Sequence, residues 1–347
     1  MATFRQRGDK WQARIQRKGY ETQAASFANL ADAKAWARRI ESSLDRGVAL
    51  GNAQADKALL SDLLKRYRQV SQTHKGADIE ALRLDKWASN PLAKREARGV
   101  RPADIAAWRD RRALEVGAST IRNELAILSA VYEVARLEWG YTSLANPVKG
   151  IRRPSAPEGR TRRIEQAEVD RIVQATSSQA LKVLLPLAIA TTCRRGELLK
   201  ATWRDVSLKS RTLRLTDTKN GESRSVALSP VALAILAGLP RRLDGGPLFD
   251  LEPHSVSTAF ARAVKRARAI YEAECAASGQ EVDPDFLTGL HFHDARHEGA
   301  SQLFEAGLNI PEVASMTGHK DWRMLRRYTH VKASALALKL QKLGGAA

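Results

Sequence analysis

Cysteine is nearly absent from this chain. The two present, Cys193 and Cys275, are too few and too far apart for a disulfide framework or for the paired spacing of a zinc site. Long apolar runs are missing as well. The longest, Val183 to Ala190, falls far short of the roughly 20 residues that a membrane-spanning helix needs. The first residues lack the apolar core of a secretion signal, so the cytoplasm is the expected compartment. There is no glycine-rich phosphate loop, no carboxylate cluster suited to magnesium and no internal repeat. These absences argue against a stapled secreted domain, a zinc module, a membrane protein and a nucleotide-driven enzyme, and they give no basis for a resident metal or cofactor. Acidic residues are also in short supply, with 38 Asp and Glu against 57 Lys and Arg and a formal net charge of +19.

What remains is a basic globular chain. Its 347 residues suffice for two or three domains, and a hydrophobic content of 44% suffices for cores. So large a positive charge calls for a polyanionic partner. The basic excess is five in residues 1–50, five in 51–150 and nine in 151–347. A basic tail on a neutral protein would concentrate the charge. An excess shared by every segment is expected if all of them lie along nucleic acid.

The most informative stretch runs from Leu290 to His330. His293 and Arg296 sit three apart and share one face if the run is helical. Leu303 and Phe304 follow at helical spacing, with Gly307 as a stop. Pro311 suits the first turn of another helix that Gly318 closes. His319 follows, and Tyr328 lies among Arg323, Arg326, Arg327 and His330. Upstream, Ala190 to Leu198 reads ATTCRRGEL, with Glu197 three residues after Arg194 and placed to orient it. Leu213 and Leu215 alternate, as do Val226 and Leu228, and Asn220-Gly221 between them signals a hairpin with Lys219 at its tip.

Taken together, these boxes resemble the signature of the tyrosine recombinases of the phage-integrase type. The resemblance implies a catalytic set of Arg194, Lys219, His293, Arg296, His319 and Tyr328 with Glu197 in support. Tyr328 would attack a DNA phosphate, leaving a 3′-phosphotyrosyl intermediate and a free 5′-hydroxyl without metal, cofactor or ATP. The family usually carries glycine where this chain has Thr192, which bears on the local turn and not on Arg194.

The resemblance extends over nearly the whole chain and implies a multidomain, mainly α fold with α+β parts. Residues 1–50 combine alternating Trp11, Ala13 and Ile15, a second strand from Thr22 to Phe27, and a helix carrying Ala33, Trp36, Ile40 and Leu44. This small sheet-plus-helix module, with Arg14, Arg17 and Lys18 outward, resembles the arm-type DNA-binding domain of phage integrases. Gly51 to Asp56 is a polar linker. Residues 57–150 read as all helix: a stripe at Leu59, Leu60, Leu63, Leu64 and Tyr67, a helix opened by Pro102, and a long one capped by Ser119 or Thr120 and running to Gly140. This resembles a helical core-binding domain, with Arg109, Arg111, Arg112 and Arg122 as DNA contacts. The run Ile121 to Gly140 with Asn146-Pro147-Val148 is similar to shufflon-type DNA-inversion recombinases.

Residues 151–163 (IRRPSAPEGRTRR) form a basic linker, in which Arg152, Arg153, Arg160, Arg162 and Arg163 are expected to track phosphates. Residues 164–332 are the mixed α/β catalytic domain, with an amphipathic helix from Ser255 to Ile270. The tail 333–347 carries Leu336, Leu340 and Leu343 at helical spacing; the resemblance implies that it docks on a neighbouring protomer, with docking on its own domain as the alternative. The implied partners are double-stranded DNA, a homo-tetramer on two DNA sites and accessory DNA-bending proteins, with no membrane. Two other readings stay open: a type IB topoisomerase-like nicking-closing enzyme, marked by relaxation of DNA lacking any target site, and a non-catalytic DNA-binding regulator, marked by the absence of a covalent adduct.

Overall fold

In the computed structural model, which describes residues 2–17, 20, 22–45, 57–157, 160, 162–216, 223–242 and 244–328, with the backbone alone at 43 and 326–328, the chain divides into two compact units, 1–159 and 160–347. The division falls inside the basic stretch 151–163.

The first unit begins with three antiparallel strands, β1 (Ala2–Arg7), β2 (Lys10–Ile15) and β3 (Gln23–Phe27), followed by helix α1 (Leu30–Asp45). Ala13 and Ile15 of β2 are buried, and Ile15 meets Ala37 and Leu44 of α1, with Phe4, Trp36 and Ile40 at the margin. Strand β1 is absent from the sequence reading. Its polar residues give no alternation beyond Phe4, and it forms because Gly8, at φ 57°, turns the chain back onto β2.

Four helices follow: α2 (Leu60–Ser71), α3 (Ala77–Ala88), α4 (Pro102–Arg112) and α5 (Ala118–Glu138). The expected stripe of α5, Ile121, Leu125, Leu128, Tyr132 and Ala135, is buried against Leu60, Leu63, Leu64 and Tyr67 of α2 and the stacked pair Trp87–Trp108. The polar edges of these aromatics find partners: Trp87 Nε1 donates to Glu124 O at 2.8 Å and the Tyr132 hydroxyl to Ala97 O at 3.0 Å. Two local expectations fail. Helix α5 starts two to three residues early, with Gly117 at its N-cap, so Ser119 and Thr120 lie in its first turn. Leu59 precedes α2 and is exposed.

The second unit is built around α7 (Gln179–Thr191), which follows α6 (Gln166–Ala175). Leu181, Leu184, Leu185, Leu187 and Ala188 bury nearly every side of α7, as suits a helix without a polar face. Next come α8 (Arg195–Lys200) and an antiparallel sheet of β4 (Val206–Ser207), β5 (Thr212–Leu215) and β6 (Arg224–Ala227). Leu213 pairs with Val226 and both are buried, so the two alternating stretches do form one hairpin. Helices α9 (Pro230–Ala237), α10 (Pro253–Ser278), α11 (Asp294–Glu305) and α12 (Ile310–Thr317) complete the unit, ahead of a 3₁₀ segment, Trp322–Tyr328. Helix α10 continues past Ile270 because Cys275 keeps one face buried. Among the described residues, no helix is long and apolar enough to cross a membrane.

Helices α7 and α11 approach backbone to backbone at Gly299. A Cβ on Gly299 of α11 would sit 2.2 Å from Ile189 O, so only glycine permits this approach. Helix α12 opens on a reciprocal cap: Asn309 Oδ1 accepts from Glu312 N at 3.0 Å, and the Glu312 carboxylate accepts from Asn309 N at 2.7 Å. It closes at Gly318, φ 71°.

Candidate active site

The site assembles where α7, α8, β6, α11 and the end of α12 converge. Helix α7 stops because Thr192 adopts a left-handed conformation, φ 56° and ψ 14°. That turn aims the Thr192 carbonyl back toward α11 and sends Cys193 and Arg194 into the start of α8. Arg194 is the N-cap of α8, and Glu197 lies in its first turn.

The Glu197 carboxylate is the hub. Its side chain is only 4% exposed. It accepts from Arg194 N at 2.8 Å, Arg194 Nη1 at 2.8 Å, Arg224 Nη1 at 2.9 Å and Arg224 Nη2 at 2.8 Å. Burial alone would raise its pKa. The two guanidiniums and the Arg194 amide outweigh that and hold it at about 2. Arg296, 3% exposed, donates to Thr192 O at 2.7 Å and to Thr317 O at 2.5 Å. Burial, then the charge of Arg194, pull its pKa down to about 10, so the cation is retained at neutral pH under strain. Three guanidiniums therefore crowd around a single carboxylate, and among the described residues none of the three pairs with another anion.

His319 is oriented by its own turn. The Thr317 hydroxyl donates to Val313 O at 2.7 Å and lies 2.7 Å from His319 Nδ1. Its single proton is committed to Val313, so His319 Nδ1 must carry the proton of the second bond. A neutral ring then offers Nε2 only as an acceptor, and donation from Nε2 requires the imidazolium. His293 caps the start of α11, edge-on to His297 with ring centroids 4.9 Å apart. Arg194 and His293 line one open cleft of about 420 Å³ together with Arg195, Ser257, Phe260 and His291. Burial pushes the Cys193 thiol up to about 11, so this neighbour of Arg194 is an inert core residue.

The structure thus brings together Arg194, Glu197, Arg296 and His319, with His293 across the cleft. The backbone of Tyr328 lies in the 3₁₀ segment Trp322–Tyr328 that follows His319; its side chain, Lys219, Lys18 and the tail 333–347 lie outside the described parts of the chain. Among the described residues no group of three or more His, Cys, Asp or Glu is arranged to hold a metal ion. Arg224 is missing from the sequence reading. Its signal was there: it lies two residues before Val226 on a strand whose alternate positions face inward, and a cation at such a position needs a buried anion.

Several arginines expected on DNA are occupied otherwise. Arg112 forms a fork on the buried Glu124 at 2.8 and 3.0 Å and also holds Glu115, which makes it an internal strut. Arg160 grips Asp294, whose side chain is fully buried, at 2.9 and 3.2 Å. Arg162 pairs with Glu168, and Arg163 forks onto Glu298 at 2.8 and 2.9 Å and reaches Glu305. These three strap their segment onto α6 and α11. Arg17 pairs with Asp45 at 2.6 Å, and Arg109 holds Asp110 and Arg152 O. Arg122 donates to Pro154 O at 2.8 Å, while Arg14, Arg111, Arg152 and Arg153 are exposed.

The model of the phage integrase family matches residues 162–335, the segment that holds Arg194, Glu197, Arg224, His293, Arg296 and His319. The chain belongs to the phage integrase family. The shufflon-specific DNA recombinase of Escherichia coli is 35% identical over 296 residues, covering 82% of this chain and 72% of its own. A putative integrase/recombinase of Haemophilus influenzae is 29% identical, covering 94% and 86%. Among solved structures, a lambda integrase dimer bound to a COC′ core site superposes with a TM-score of 0.63 at 20% identity, covering 94% of this chain and 93% of that one. A Tn1549 transposon integrase in complex with circular intermediate DNA gives 0.62 at 16%, covering 82% and 99%. This integrase is therefore a mainly helical, multidomain tyrosine recombinase with small antiparallel sheets.

Proposed function

We propose that the chain cleaves and rejoins DNA at specific sites through Tyr328, with Arg194, Arg296, His293, His319 and Lys219 as its catalytic partners and Glu197 as the group that orients Arg194. The observation that carries this reading is the cluster of Arg194, Arg224 and Arg296 around one buried carboxylate. A surplus of fixed positive charge suits a ligand that gains negative charge as it reacts. In phosphodiester exchange that ligand is the pentacoordinate phosphorane. Arg194 and Arg296 take its non-bridging oxygens, and His319 adds a bond from Nε2 as the imidazolium, a form that the approaching phosphate favours.

The tyrosine oxygen bonds to phosphorus and the bond to the 5′-oxygen breaks. Lys219 supplies the proton to the departing oxygen, and His293 accepts the one that the phenol loses. The phosphotyrosyl bond conserves the phosphodiester energy, so a second 5′-hydroxyl attacking it rejoins DNA without ATP. The likeness to a shufflon-specific recombinase supports inversion of DNA segments as the outcome. A homo-tetramer on two sites, assisted by DNA-bending proteins, is the corresponding assembly. A lambda integrase tetramer bound to a Holliday junction, with a TM-score of 0.62, is a fold-level parallel. The positive exposed residues Arg14, Arg111, Arg152 and Arg153 are the proposed phosphate contacts outside the site, residues 1–50 being the arm-type module and 57–150 the core-binding domain, all acting in the cytoplasm.

Incubation with a nicked duplex carrying the target site tests the proposal. The wild type should leave an SDS-resistant protein–DNA adduct, and Tyr328→Phe should bind the same DNA without forming one. An adduct from the Phe variant would overturn the assignment of the nucleophile.

A further inference from the structure

Arg224 is not one of the residues to which the family signature gives a role, yet it ties together three of the segments that build the site. Its side chain is 12% exposed. Two of its nitrogens fork onto Glu197, and its Nε donates to Met316 O at 3.2 Å. Its guanidinium also lies against Gly318, where an added Cβ would stand 2.9 Å from Nη1. One side chain thus joins β6 to the α8 carboxylate that holds Arg194 and to the α12 end from which His319 emerges.

We propose that Arg224 is the positioning residue of this site. It would set the charge and orientation of Arg194 through Glu197 and the place of His319 through Met316 and Gly318, without itself contacting DNA. The inference rests on the reading of Arg194 as a phosphate ligand. The argument is electrostatic and geometric. Arg194 places one nitrogen on Glu197 and keeps the rest of its fork for a ligand. Glu197, relieved of Arg224, would keep a full negative charge with one cationic partner. It would then draw the Arg194 fork onto itself and away from the phosphate. A displacement of about 1 Å at a reacting centre costs on the order of 10²-fold in rate. The close packing of the guanidinium on Gly318 means that a truncated side chain also leaves the turn before His319 unsupported.

The test compares cleavage of two nicked substrates by full-length protein, one with the natural scissile phosphate and one with a methylphosphonate there. The methyl group removes the negative charge that Arg194 is held to neutralise. On the natural substrate Arg224→Ala is expected to cleave on the order of 10²-fold more slowly than wild type, with DNA affinity little changed. On the methylphosphonate its deficit should shrink by at least tenfold, in parallel with Arg194→Ala. In the double variant Glu197→Gln/Arg224→Ala the loss from removing Arg224 should be smaller than in the wild-type background, because the carboxylate it balances is gone. Arg224→Lys keeps the charge but not the fork and should fall between. If Arg224→Ala fails to fold, the same ratios are read from Arg224→Lys. An equal deficit on both substrates, or no deficit at all, overturns the inference. If Arg194→Ala is itself not rescued by the methylphosphonate, the assignment of Arg194 as phosphate ligand fails instead.

Discussion

Replacing Glu197 with Gln exchanges one carboxylate oxygen for an NH₂ group and should destabilise the second unit severely. The carboxylate accepts four N–H donors, two at each oxygen. A glutamine amide retains one carbonyl oxygen, so either orientation leaves two donors facing an NH₂ group. Those donors are charged or buried, and breaking a buried ion pair from one side costs about 3–5 kcal/mol. The pKa gives a second route to the magnitude. A carboxyl held at about 2 in place of its ordinary 4.5 has an ionised form favoured in the folded state by about 3 kcal/mol, at about 1.4 kcal/mol per tenfold in proton affinity. The two routes agree. They also fix the pH dependence. Because the folded pKa is depressed, the contribution is complete above about 4.5 and is lost as pH falls toward about 2. Protonated Glu197 resembles glutamine, so the gap between wild type and Glu197→Gln should be about 3 kcal/mol at neutral pH and should narrow steadily below about pH 4.5. Urea unfolding of both proteins, followed by circular dichroism between about pH 7 and 3, measures this. A difference below about 1 kcal/mol at neutral pH, or one that stays constant across the range, would show that the carboxylate is not the hub.

Three further outcomes are expected. Strand cleavage should proceed in EDTA, since Arg194 and Arg296 occupy the role that metal ions otherwise play in phosphoryl transfer; loss on chelation with recovery on adding magnesium would refute the mechanism. Lys219→Ala should cleave a normal site roughly 10²–10⁴-fold slowly but a bridging 5′-phosphorothiolate site at close to the wild-type rate, because a thiolate leaves without a proton; an equal defect on both would make another group, such as His319, the acid. Deleting residues 1–50, which carry an excess of five positive charges, should weaken DNA binding and flatten its salt dependence by about 0.9 for every phosphate that the module neutralises; an unchanged slope would mean that the module does not lie on DNA.

The difference between what was legible in the sequence and what was not follows the range of the interactions involved. Helices α11 and α12 and the pairing of β5 with β6 could be read because their signals are local: periodicity, strand alternation, a Pro near a helix start, a Gly after its end. Arg194 and Glu197 were legible as a pair because they lie three residues apart on one turn. Arg224 was legible only as an inward-facing cation; its partners were not, because they are 27 and 92 residues away. The carboxylate partners of the arginines of 160–163 were missed for a related reason. A cation reads the same in sequence whether it will meet a phosphate or a carboxylate, and Asp294, Glu298 and Glu305 lie more than a hundred residues downstream. The clue was on α11 itself. Those acids recur at i, i+4 and i+11, a stripe on one side of a helix whose Arg296 points into the site. An acidic stripe of that kind beside a buried helix calls for cations, and 160–163 supplies them.

Thr192 shows why a departure from a family pattern at one position need not disturb the site. Glycine is the residue that takes a left-handed backbone without penalty, and Thr192 takes it anyway, at φ 56°. For a β-branched residue this costs about 1–3 kcal/mol. Its Oγ1 is moreover buried without a hydrogen-bond partner among the described residues. Two contacts offset that. Its Cγ2 lies where it fills the space above Gly299, 3.0 Å from the position a Cβ would take there, and its carbonyl accepts from Arg296 at 2.7 Å. The second is the one on which function depends. The site needs a backbone oxygen aimed at Arg296 and a chain that re-enters α8 at Arg194. Both are properties of the left-handed turn and not of the side chain that makes it. A strained threonine held by the packing of α7 on α11 therefore delivers the same geometry as a glycine, and the strain is the sign that the surrounding structure, more than the residue, dictates the turn.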